Sequence, residues 1–136
     1  MEGIKSYKDL LIWKKGMDIS VSVYTLTNDF STDERFGLIS QLRRATVSVP
    51  SNIAEGYGRG STKSYIQFIK IARGSLYEVE TQLLLAFELG FIKDEKRYNE
   101  ILYQITELSK MISAFLKKLE VWNNGLANAF WLVASA

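Results

Sequence analysis

With 136 residues, of which 47% are apolar and 24% charged, the chain can bury the core of one domain and is too apolar to stay disordered. Its 17 basic and 15 acidic side chains leave a net charge of only +2, so placement rather than total charge must point to any partner. There is no cysteine and no histidine, which removes disulfides, thiolate nucleophiles, cysteine zinc sites and imidazole bases; no catalytic residues, metal or cofactor are expected.

Met1-Glu2-Gly3-Ile4-Lys5 lacks the apolar run of a secretory signal, and no stretch of about 20 apolar residues is present to span a bilayer. A cytoplasmic location is the expectation, and a membrane partner is not. Helix 1 is predicted to start after Ser6, with Ser6 and Asp9 at capping-box spacing, and to run to about Asn28. Two apolar stripes mark it. Leu10, Trp13, Met17, Val21 and Tyr24 form one, and Ile12, Ile19, Val23, Leu26 and Phe30 form another on roughly the opposite side. One core cannot cover both, so the second set is assigned to an oligomer interface, with the small residues Gly16, Ser20 and Thr27 permitting close approach of a helix from another subunit.

The Ser31-Thr32-Asp33-Glu34 cluster opens helix 2, which is predicted to continue through Val49, to kink or break at Pro50, and to add a turn as far as Glu55. Gly56-Tyr57-Gly58-Arg59-Gly60 reads as a connector. It is not a phosphate loop, because it follows a helix and lacks the Gly-Lys-Ser/Thr ending. Ser61 or Thr62 caps helix 3, which runs to Leu89 with Gly90 as its stop. Its core stripe is Ile69, Ala72, Leu76, Val79, Leu83 and Phe87, with Ile71, Leu85 and Leu89 turned away. Asp94 caps helix 4, which ends near Glu120 and has Ile101, Ile105, Leu108, Ile112, Phe115, Leu116 and Leu119 on one face. Short connectors make neighbouring helices antiparallel, so the fold class is all-α: an up-and-down antiparallel four-helix bundle over residues 1–120. Residues 121–136 are an apolar tail, expected to pack on a groove or between subunits.

Between Arg35 and Arg73 there are seven cations and one acid, Glu55, while the rest of the chain is acidic on balance. Lys63, Lys70 and Arg73 share an arc of helix 3 with Gln67, and the start of that helix adds free amides and a positive dipole end. Arg43, Arg44, Arg59, Lys63, Lys70 and Arg73 are therefore the candidate nucleic-acid-binding residues, with Arg44, Arg59 and Lys63 expected to converge around the connector. Asn52, Glu55, Ser75 and Glu78 are polar groups on otherwise apolar helices, and are expected to form a structural network with Arg44.

The run Arg43-Arg44-Ala45-Thr46-Val47-Ser48-Val49-Pro50-Ser51-Asn52-Ile53-Ala54-Glu55-Gly56, followed by Ile71-Ala72-Arg73-Gly74-Ser75-Leu76-Tyr77-Glu78-Val79-Glu80, resembles a bacterial family. It is similar to the four-helix-bundle proteins encoded in 23S rRNA intervening sequences, as are Tyr7-Lys8-Asp9-Leu10 and Gln41-Leu42-Arg43-Arg44. The resemblance covers about Tyr7 to Leu119. It implies a cytoplasmic, non-enzymatic bundle that assembles as a homopentamer, distantly similar to the accessory variability determinant proteins of diversity-generating retroelements. In those proteins a basic surface contacts nucleic acid and a reverse transcriptase, which by analogy gives Arg43, Arg44, Arg59, Lys63 and Arg73 a role here. The function expected is an oligomeric, non-enzymatic helical module binding RNA or DNA through phosphate contacts; the alternative is a scaffold that engages a different protein. Val121 to Ala136 departs from the resemblance.

Overall fold

The computed structural model describes residues 3–34 and 36–125. Among the described residues all regular structure is helical: α1 (Leu11–Thr27), α2 (Leu38–Gly58), α3 (Thr62–Glu88) and α4 (Glu95–Asn123), with single 3-10 turns at Tyr7–Asp9 and Thr32–Glu34. α2 packs on α1 and α3, and α4 closes the ring between α3 and α1. Paired residues run in opposite directions, as in Gln41–Gln82 and Ser48–Ser75, or Tyr77–Ser109 and Arg73–Ser113, so neighbouring helices are antiparallel.

Local chemistry sets some of the helix ends; the Ser31–Glu34 cluster does not open α2 but leads into the 3-10 turn Thr32–Glu34, and α2 begins at Leu38 behind Gly37 with no side-chain cap. The Ser6 hydroxyl accepts from the Lys8 amide, while the Asp9 carboxylate accepts from the Lys5 and Ser6 amides at 2.8 and 3.2 Å. These amide bonds, from Lys5 first and then Ser6, hold the Asp9 carboxyl below its ordinary pKa. Its contribution to the cap is therefore present at neutral pH and is lost as pH falls through that lowered value. The cap closes only the 3-10 turn; Leu10 is extended, and the long helix starts at Leu11. Ser61 accepts from the Ser64 amide and Asp94 from the Arg97 amide, as predicted for α3 and α4. At the end of α3, Gly90 takes φ +79°, its amide donates to Phe87 and that of Phe91 to Ala86, the paired bonds of a Schellman stop.

α2 continues through Pro50 to Gly58 without a break. Pro50 has no N–H for the Thr46 carbonyl, which instead accepts from the Ser20 hydroxyl of α1 at 2.9 Å, in a buried contact. Gly16 lies beside the Pro50 ring. The small residues of α1 therefore serve α2 of the same chain, not a second subunit.

Apart from Leu10, which is buried, and Trp13, which is half-buried against the core, the two stripes of α1 take the opposite places from those expected. Ile12, Ile19, Val23, Leu26 and Phe30 are all buried in the intramolecular core, with Val23 at 0% exposure. They cannot form an oligomer interface, because α2 and α4 flank α1 on that side. Met17, Val21 and Tyr24 are the outward face, Val21 at 64% exposure. On α3, Ile69, Ala72, Leu76, Val79 and Leu83 are fully buried, but Phe87 lies partly outside and stacks on Tyr98 with ring centroids 4.6 Å apart. Of the α4 stripe only Phe115 falls short of full burial. Val121–Asn123 extend α4 beyond the predicted end, and residues 126–136 lie outside the described residues.

Candidate nucleic-acid interface

The six candidate cations do not gather at one point. Arg43 is a clamp: its Nε donates to the Thr27 hydroxyl at 3.0 Å, its Nη2 to Asn28 Oδ1 at 2.8 Å and to the Tyr24 carbonyl at 3.3 Å, and its guanidinium lies over the Tyr24 ring. A cation beside the last carbonyls of α1 also opposes the negative end of that helix. Arg73 is half-buried at the α3–α4 seam near Ser113, and Lys70 pairs with Glu120 at 3.4 Å. Arg44 is exposed on α2. Because α2 is unbroken, Arg44 and Arg59 stand about 22 Å apart along its axis at 1.5 Å per residue, so they do not converge on one phosphate.

Arg59 and Lys63 remain together at the connector. Arg59 forms an exposed ion pair with Glu55 at 2.8 Å and lies over the Phe68 ring, which holds its guanidinium in place at the surface. Gly56 makes this corner possible, since a Cβ there would stand 2.9 Å from Phe68 Cβ and 3.1 Å from Tyr65 Cδ1. The expected network is reduced to a shorter one. Asn52 donates to Ser48, and the Ser48 and Ser75 hydroxyls are 2.9 Å apart, tying α2 to α3. Glu55 turns to Arg59 instead, while Glu78 and Arg44 are exposed and outside the network. Ser48 is the member that sequence reasoning missed.

The bundle adds cations that the linear sequence hides. A cavity is lined jointly by Leu11, Gly56, Ser61, Lys118 and Trp122, so the start of α1, the α2–α3 connector and the end of α4 share one end of the molecule. Exposed Lys8, Arg59, Lys63, Lys117 and Lys118 therefore lie toward the same end. Among the described residues the acids there are engaged: Asp9 in its cap, Glu55 with Arg59, Glu120 with Lys70. The opposite end is marked by the Phe30–Phe91 and Phe87–Tyr98 ring contacts, and carries Asp29, Asp33, Glu34, Glu88, Asp94 and Glu95 beside Lys93, Lys96 and Arg97, so acids outnumber cations there. Charge is thus divided along the bundle axis. Within the cavity, burial pushes the Tyr65 phenol well above its ordinary pKa, with Tyr57 adding to the effect, so it is a neutral hydroxyl there.

A second, shallower apolar groove of about 600 Å³ runs between α1 and α2, lined by Trp13, Met17, Val21, Tyr24, Val47 and Pro50 among others. Among the described residues there is no cluster of acidic side chains fit to hold a metal ion, and no helix is long and apolar enough to cross a membrane.

Residues 8–114 match the 23S rRNA-intervening sequence protein family. The chain belongs to that family. Its match takes in the whole Arg43–Gly56 run and all six candidate cations, and leaves out Lys117, Lys118 and everything after them. A crystal structure of a protein of unknown function from the S23 ribosomal protein family of Bacteroides thetaiotaomicron superposes with a TM-score of 0.71 at 24% identity, over 79% of this chain and 96% of that one. At that identity the likeness shows the shared fold. No curated protein matches significantly. Neither the description of the 23S rRNA-intervening sequence protein family nor that of the structural relative names a reaction.

Proposed function

We propose that this member of the 23S rRNA-intervening sequence protein family is a non-enzymatic module that binds RNA or other nucleic acid through its phosphates, at the connector end of the bundle. The observation that carries the reading is the axial division of charge. Arg59 and Lys63 from the predicted set are joined there by Lys8, Lys117 and Lys118, and the neighbouring acids among the described residues are engaged. A surface of flexible lysines with one oriented arginine suits a phosphate backbone and offers no array for reading base edges. Arg43 belongs to the scaffold in this reading, and Arg44 and Arg73 are peripheral.

Self-association is part of the proposal. The exposed stripe Met17, Val21 and Tyr24, together with Val47 and the groove beside it, is an apolar surface that a second copy would cover. Repeating the cationic end around an assembly multiplies its field, which a net +2 per chain understates.

Filter binding of generic duplex RNA and DNA across a salt series tests this. Affinity should fall by at least about tenfold between 50 and 200 mM salt. The double variant Lys63→Ala/Lys118→Ala should weaken binding to all sequences alike and flatten the salt slope by roughly 1 to 2, whereas Lys93→Ala/Lys96→Ala at the acidic end should change neither. Affinity that ignores salt, or that survives the first pair of substitutions, overturns the reading.

A further inference from the structure

We propose that the cavity at the connector end takes an unpaired base of a bound RNA or DNA strand, so that the preferred ligand is single-stranded. This inference rests on the phosphate-binding reading above and adds to it the class of strand. The cavity measures about 850 Å³, within the usual span of roughly 300–1,000 Å³ for sites that enclose a small organic guest. Tyr57, Tyr65, Phe115 and Trp122 line it, with Leu11 and Leu119 beside them. Tyr65 stands edge-on to Tyr57 and to Phe115, with ring centroids 6.3 and 5.5 Å apart, so α2, α3 and α4 each give one ring to a connected aromatic bank. Trp122, in the last turn of α4, is the most accessible ring, at 41% exposure.

The charge around this bank selects a nucleotide over a purely apolar guest. Lys118 belongs to the wall, and exposed Arg59 and Lys63 flank the lining residues Gly60, Ser61 and Thr62. The first amides of α3 start from the same wall and have no intrahelical acceptor; the Ser61 hydroxyl serves only that of Ser64. Asp9 is the one acid among the described lining residues, and its carboxylate is committed to the Lys5 and Ser6 amides. A nucleotide matches both halves of such a site, its base against the rings and its phosphate against the cations and amides. The α1–α2 groove has aromatic side chains too, but no lysine or arginine is among its described lining residues. The bases of a duplex are already stacked and paired, and drawing one out costs unstacking energy, whereas a single strand presents its bases freely. Stacking on aromatic rings tolerates any base, because every base has a π face, which accords with a surface that holds phosphates and does not read base edges.

Titration of the full chain with a short oligouridylate and with an RNA duplex of the same length, at one fixed salt concentration, tests this. The single strand should bind at least about fivefold more tightly, although the duplex carries twice the phosphates. Trp122→Ala should abolish that preference, weakening single-strand binding by at least about fivefold with duplex binding unchanged, and Trp122→Phe should restore most of it. Lys63→Ala/Lys118→Ala should weaken both ligands, because it removes phosphate contacts that they share. A 2-aminopurine placed between uridines in the single strand gives a readout on the parent chain that needs no substitution: its emission should be quenched on binding as it stacks on the rings. A duplex that binds as tightly as the single strand, a loss at Trp122→Ala that is equal for both ligands, or emission that stays constant or rises on binding each overturn the inference while the phosphate-binding reading stands. Binding of neither ligand overturns both.

Discussion

Thr46 and Pro50 stand four residues apart on α2, so the proline deletes the amide that would satisfy the Thr46 carbonyl, and a hydroxyl from another helix takes its place. Ser20→Ala should therefore cost about 1–3 kcal/mol, because it leaves a buried carbonyl without a donor. In a Pro50→Ala background the same substitution should cost less than about 1 kcal/mol, since the restored amide serves the carbonyl. Urea denaturation of the four proteins in that cycle measures the difference. The donor that Pro50 removes was legible in the sequence, but the break expected there does not occur; the remedy was hidden, because periodicity does not say which hydroxyl faces which carbonyl from 26 residues away. The partners of Arg43 were hidden for a similar reason. A charge in a sequence is visible, but the Thr27, Asn28 and Tyr24 atoms that engage it appear only once α1 and α2 are laid side by side.

At the scale of helices, the start of α4 and both ends of α3 were the most readable part, because a cap is local and Ser61, Asp94 and Gly90 act within a few residues of themselves, whereas Ser6 with Asp9 and the Ser31–Glu34 cluster each build only a 3-10 turn ahead of the long helix. The faces were less so. Helical spacing identified both apolar stripes of α1, yet nothing in that spacing ranks one above the other, and the neighbours α2 and α4 decided which went inside. The α2–α3 corner depends on Gly56 in the same non-local way. Gly56→Ala would set a methyl 2.9 Å from Phe68 Cβ, an atom fixed to the backbone of α3, so the helices must part. A loss of about 1–3 kcal/mol in denaturation midpoint analysis is expected, from overpacking at a tight crossing. The same change displaces Phe68 from beneath Arg59 and so loosens the guanidinium.

For the molecule as a whole, the exchange of the two α1 stripes gives assembly a sharp test. Val21→Asp should lower the sedimentation-derived mass toward that of a single chain while leaving the melting transition within a few degrees, because Val21 is exposed in the isolated bundle. Val23→Asp, at a fully buried site two residues on, should instead unfold the protein. The cationic end was only half legible: Arg59 and Lys63 lie inside the basic stretch of the sequence, whereas Lys117 and Lys118 are more than forty residues beyond it and reach the same end only because α4 returns antiparallel. That division of charge gives each bundle an electric moment along its long axis. In the field of a polyanion such a body experiences a torque as well as an attraction, so it arrives already aligned, with its lysines leading and its acidic pole trailing, before any atom has touched.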